Sequence, residues 1–99
     1  MLDIRGGKNG EKLLIELDGR LDTTTAQQLE EKINSEIEGV KELTFDLKDL
    51  TYISSAGLRI LLSAQKIMNN QGKMIVKNAS EEVEEIFEVT GFSDIFIIQ

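Results

Sequence analysis

Apolar residues recur along this chain with two periods, and each switch between them marks an element. Leu2 and Ile4 alternate with Asp3 and Arg5, and Leu13, Ile15 and Leu17 alternate with Leu14, Glu16 and Asp18. That period of two belongs to half-buried strands. Gly6-Gly7-Lys8-Asn9-Gly10 between them reads as the turn of an antiparallel hairpin at one sheet edge. After Asp22-Thr23-Thr24-Thr25 the period becomes helical. Ala26, Leu29, Ile33, Ile37 and Val40 share a face, with Gln27, Gln28, Glu30, Glu31, Asn34 and Glu38 elsewhere. One residue of the Asp22 to Thr25 group caps this helix, since both Thr24…Gln27 and Thr25…Gln28 fit a capping box. Gly39 ends it. Leu43, Phe45 and Leu47 return to a strand, and Lys48 to Ile53 lead on to Ser54-Ser55-Ala56-Gly57.

The second helix, from about Ser55 to Asn70, carries a narrow polar stripe of Arg59, Ser63, Lys66 and Asn70. Leu58, Ile60, Leu61, Leu62, Ala64, Ile67 and Met68 spread over roughly two-thirds of its circumference, wider than an ordinary surface helix needs. Either neighbours cover it on several sides or part of it awaits a partner. Gly72 closes it, and Lys73-Met74-Ile75-Val76-Lys77 is a further strand. Ser80 caps a third helix, where Glu81 and Glu82 suit the positive end of the dipole. Val83, Ile86, Phe87 and Thr90 mark its inner face, Gly91 stops it, and Ile95-Phe96-Ile97-Ile98 reads as a last strand. The order ββαβαβαβ predicts one α/β domain over residues 1–99, with a mixed sheet, an N-terminal antiparallel hairpin and right-handed parallel crossovers.

Composition narrows the chemistry. The 99 residues are 40% apolar, enough for one two-layer core. Eleven Lys and Arg against eighteen Asp and Glu leave a net charge of −7, a poor match for phosphate backbones or anionic lipid. Neither Cys nor His is present, which removes thiolate nucleophiles, the commonest metal ligands and the usual base near neutral pH. No run approaches the roughly 20 apolar residues of a membrane span. Met1-Leu2-Asp3-Ile4-Arg5 alternates where a signal peptide would show a basic head and an apolar run, so a cytoplasmic protein is expected, without nucleic-acid binding or membrane insertion.

The informative place is Ile53-Ser54-Ser55-Ala56-Gly57-Leu58, where a strand runs into a helix. Two hydroxyls sit where unpaired N–H groups and the dipole favour negative charge, and Gly57 leaves backbone amides open to close approach. Plain N-capping is the competing reading of the serines. Other matches fail. Ser63-Ala64-Gln65-Lys66 has the S-x-x-K spacing of penicillin-binding enzymes without their other motifs, and its Ser and Lys lie on the polar stripe. Asn78-Ala79-Ser80 fits a glycosylation string with no export signal. Asp18, Asp22, Asp46 and Asp49 stand near strand ends, where separate solvated carboxylates are the better reading than a cation site. No catalytic residue, metal or cofactor is therefore expected.

Two blocks carry a resemblance. Gly19-Arg20-Leu21-Asp22-Thr23-Thr24-Thr25-Ala26 comes first, then Leu43-Thr44-Phe45-Asp46-Leu47 with Asp49-Leu50-Thr51-Tyr52-Ile53-Ser54-Ser55-Ala56-Gly57-Leu58. At this spacing, with Gly72-Lys73-Met74 and the Gly91-Phe92 turn following in order, the chain resembles the STAS domain of bacterial anti-sigma factor antagonists over nearly its whole length. The resemblance implies a partner switch. A serine kinase that is also an anti-sigma factor phosphorylates the antagonist two places before Gly-Leu, which falls on Ser55, with Ser54 as the alternative acceptor. The unmodified antagonist binds the kinase and frees the sigma factor, and a serine phosphatase resets it. Asp22, Thr23, Thr24, Ser54, Ser55, Ala56, Gly57 and Leu58 form the implied partner-binding surface. Family members often have Asp where this chain has Ser54 and a hydroxyl where it has Ala56, and they usually add a helix after the last strand. STAS-like domains also serve as docking or sensor subunits of transport and signalling complexes, which keeps the fold and drops the phosphate. A ligand-binding variant ranks third. An enzyme comes last, since no base activates either serine.

Overall fold

A computed structural model describes residues 1–99. The elements run β1 (Leu2–Asn9), β2 (Lys12–Leu21), α1 (Ala26–Glu36), β3 (Glu42–Ile53), α2 (Ser55–Asn69), β4 (Lys73–Lys77), α3 (Glu81–Thr90) and β5 (Ile97–Ile98), with a 3-10 turn at Phe92–Asp94 before the last. The strands lie in the order β1-β2-β3-β4-β5, β1 antiparallel to β2 and the others parallel. Because the parallel strands succeed one another in a single direction, right-handed crossovers put all three helices on one face. Burial follows that geometry. Leu13, Ile15 and Leu17, Leu43, Phe45 and Leu47, and Met74 and Val76 are buried, whereas Glu16, Asp18, Thr44, Asp46 and Lys77 stay partly exposed. The open face carries its own charge row: Glu42 lies between Lys12 and Lys73 across three strands, at 4.0 and 3.4 Å.

Twenty-four buried apolar residues form one core cluster. Each fully buried Leu, Ile or Phe contributes about 1.5–3 kcal/mol, so packing rather than helix propensity holds these short helices. Neighbours do cover the wide apolar surface of α2: Leu58, Leu61, Ala64 and Met68 are buried and Ile60, Leu62 and Ile67 half-buried, while the stripe of Arg59, Ser63, Lys66 and Asn70 is exposed.

Several boundaries differ from the sequence reading. The hairpin turn is only Gly10-Glu11, since Asn9 pairs with Lys12 and Gly6 with Ile15. Gly10 takes φ +63, the left-handed geometry a two-residue hairpin needs at its first central position. Neither capping box forms. Thr25 occupies the cap of α1 without a side-chain cap bond, and the Gln28 side chain reaches back to the Leu2 carbonyl at 3.0 Å. Thr90 is exposed and its hydroxyl returns to the Ile86 carbonyl within α3. The last strand is shorter than expected, because Ile95 belongs to the turn that packs the Phe96 ring in T-shaped contact with both Phe87 and Phe92. Ser80 caps α3 as expected, its Oγ accepting from the Val83 amide at 3.2 Å.

Candidate functional site

The exits of β2 and β3 lie side by side. Leu21 pairs with Ile53, and one residue on, the Ser54 amide donates to the Leu21 carbonyl at 2.9 Å. The start of α1 and the start of α2 are thus joined at one end of the sheet, where parallel α/β folds place their functional loops.

On the first loop Asp22 is the organiser. Its Oδ1 accepts from the Thr24 amide (3.0 Å), the Thr24 hydroxyl (2.8 Å) and the Thr25 amide (3.2 Å). The Thr24 hydroxyl bond leads the causes that hold this carboxyl at a pKa of about 2, below the ordinary 3.8. Thr25 is buried, its hydroxyl accepting from the Asp22 amide at 2.9 Å and donating to the Arg20 carbonyl at 2.8 Å. Thr23 and Thr24 are exposed. Arg20 leans over the ring of Tyr52, its neighbour across the strands, at 4.3 Å from the centroid, with its Nε 3.6 Å from Asp22 Oδ2. This Arg20–Tyr52 pair escapes a reading of the sequence. Only the β2–β3 register, shifted between Gly19 and Arg20, brings the two together.

On the second loop the two serines divide the work. Ser54 is extended and caps α2, its Oγ accepting from the Gly57 amide at 3.3 Å. Ser55 is the first residue of the helix, exposed, and its hydroxyl makes no hydrogen bond. Ala56 is half-buried against the core. Gly57 differs from expectation. It is buried, its amide is taken by Ser54, and a Cβ there would lie 2.6 Å from Leu21 Cγ and 3.1 Å from Ile53 Cγ1. The glycine serves close packing of α2 on the strand ends instead of opening the backbone to a visitor. Leu58 is likewise buried. Of the eight residues expected at the surface, Asp22, Thr23, Thr24, Ser54, Ser55 and part of Ala56 keep solvent exposure, and Gly57 and Leu58 do not.

Of the remaining carboxylates, Asp18 and Asp49 come together across β2 and β3, and Asp46 stands apart from them. Asp18 and Asp49 flank Arg5 at 3.1 and 3.7 Å, while Asp46 takes the Asn78 side chain and the Lys48 amide. No three acidic residues form a metal-holding group, and no helix is long and apolar enough to cross a membrane.

The profile of the STAS domain matches residues 4–99. A putative anti-sigma factor antagonist, BtrV of Bordetella bronchiseptica, is 38% identical over 82 residues, which cover 81% of this chain and 71% of that protein. The anti-sigma-B factor antagonist of Bacillus subtilis is 30% identical over 92% of this chain and 84% of its own. Among solved structures, an anti-sigma factor antagonist from Mycobacterium paratuberculosis superimposes with a TM-score of 0.89 at 19% identity, over 99% of this chain and 85% of that one. The Bacillus cell fate determinant SpoIIAA in its phosphorylated form gives a TM-score of 0.75 at 20% identity, over 100% and 91%. A five-stranded mixed sheet with all its helices on one face, two joined strand exits and a profile match along almost every residue have one explanation: the chain belongs to the STAS-domain family of anti-sigma factor antagonists.

Proposed function

We propose that this chain is the antagonist of a partner-switching module. Unmodified, it binds an anti-sigma factor that is also a serine kinase and so releases a sigma factor; phosphorylated on Ser55, it lets that partner go, and a serine phosphatase restores it. The observation that carries this reading is the unengaged, exposed hydroxyl of Ser55 at the first position of α2, while Ser54 does the capping. The chemistry balances simply: the γ-phosphoryl group of ATP passes to Ser55 Oγ, the hydroxyl proton goes to a base of the kinase, and ADP leaves. The phosphate adds about −1.5 to −2 charge at a helix end that tolerates it, so the fold persists and the interface changes. Pressing an unpaired dianion into a tight contact costs several kcal/mol, and each ~1.4 kcal/mol lowers affinity about tenfold. That SpoIIAA, a protein of the same fold, occurs in a phosphorylated form supports this step.

The test compares Ser55→Ala and Ser55→Asp as baits in host lysate. The alanine variant should retain a kinase-like anti-sigma factor and the aspartate variant should lose it, both with unchanged circular dichroism. Equal retention removes the switch. Phosphosite mapping of protein from its host separates it from docking alone, in which neither Ser54 nor Ser55 is ever modified.

A further inference from the structure

We propose that Arg59 is the intramolecular receptor for a phosphate on Ser55, so that modification adds charge and also withdraws this arginine from the partner. The proposal rests on the reading that Ser55 is the modified residue and says how the mark is held. Of the three arginines, Arg5 is engaged by Asp18 and Asp49, and Arg20 by Asp22 and the Tyr52 ring. Arg59 has no ion pair, no side-chain hydrogen-bond partner and no cation–π contact. It is exposed, on the same helix face as Ser55 and one turn further on. Residues four apart on a helix face have Cβ atoms about 5–6 Å from each other, well within the reach of a guanidinium to a phosphoserine.

Nothing else on that face competes. Gly57 and Leu58 turn into the core, and α2 contains no acidic residue although the whole chain carries a net charge of −7. Asp22 is engaged by Thr24 and Thr25 through Oδ1 and pairs with Arg20 through Oδ2. Glu30 of α1, which lines the groove between the two helices beside Ser63, makes no ion pair with Arg59. A planar guanidinium presents two parallel N–H donors from separate nitrogens to two phosphate oxygens, a fork that an ammonium lacks. In the unmodified protein the same free cation faces outward beside the partner surface, suited to an acidic group on whatever docks there.

The test needs no partner. Phosphoserine is installed at position 55 during translation, and its phosphorus resonance is titrated by NMR in the otherwise wild-type chain and in Arg59→Gln, Arg59→Lys and Lys66→Gln backgrounds. The second phosphate ionisation should fall about half a unit lower in the wild-type chain than in the Arg59→Gln background, a roughly threefold preference for the dianion. Arg59→Lys should lie between the two, and Lys66→Gln should match the wild type. Identical titrations in all four, or a shift as large for Lys66→Gln as for Arg59→Gln, would overturn the proposal and leave partner switching untouched. That switch stands or falls on the separate pull-down of Ser55→Ala and Ser55→Asp.

Discussion

Replacing Gly57 by alanine probes how the site is seated. A methyl there meets Leu21 Cγ at 2.6 Å, Leu21 Cδ2 at 3.0 Å and Ile53 Cγ1 at 3.1 Å. Carbon atoms pack best at about 3.5–4.0 Å, so the Leu21 contact is short by about 1 Å. Leu21 cannot swing aside cheaply, being fully buried and paired with Ile53 across β2 and β3. Overpacking of this kind costs about 1–3 kcal/mol. Alanine returns at most about 1 kcal/mol of helix propensity, and less in a first turn. The net loss should be about 1–2 kcal/mol. For a domain of this length that lowers Tm by about 5–15 °C and the urea midpoint in proportion, with the m-value unchanged. Gly7→Ala is the control: its Cβ meets nothing within 4 Å, and stability should stay within about 0.5 kcal/mol. If Gly57→Ala proved as stable as the parent, α2 would not be seated on Leu21, and Gly57 would regain a role as backbone opened to a partner.

Other outcomes follow from the same geometry. Ser54→Ala removes the acceptor of the Gly57 amide and should cost about 1 kcal/mol in urea unfolding, while Ser55→Ala stays within about 0.5 kcal/mol; equal costs would contradict the division between the serines. The Asp22 carboxyl should titrate near pH 2 by carbon NMR, not near 3.8. Its folded pKa is depressed, so the ionised group contributes stability in full above about 3.8 and loses it as pH falls through about 2. The gap between wild type and Asp22→Asn should therefore narrow across that window, and a gap independent of pH would refute the assignment. Gln71 donates to the carbonyls of Ile37 and Val40, both at 2.8 Å, and ties the end of α2 to the loop after α1. Gln71→Ala should cost about 1–3 kcal/mol by thermal melting, and no loss would mean that water replaces it freely.

Much of the architecture is legible in the chain because the two periods seldom conflict. Leu43, Phe45 and Leu47 bury one side of β3, and Leu29, Ile33 and Ile37 one side of α1 and its exit, as their spacing requires. Trouble comes where glycine has two meanings. Gly6-Gly7 reads as a turn, yet Gly6 is a strand residue at φ +105 whose missing side chain lets the Leu14 carbonyl approach. Gly57 reads as access and is close packing. The capping boxes at Thr24 and Thr25 lose to Asp22, which satisfies their amides through its own carboxylate. The site is half readable: the serines announce themselves by position, but which one caps is decided by the extended backbone of Ser54, and the Arg20–Tyr52 contact depends on a register shift that no local pattern encodes.

Adjacent hydroxyls with separate duties have a practical consequence. A label that is written and erased over and over must leave its carrier as it found it. Under the switch proposed above, a group attached to or stripped from Ser55 Oγ breaks no hydrogen bond of the helix start, whose side-chain cap is Ser54, and each round can begin from the same state.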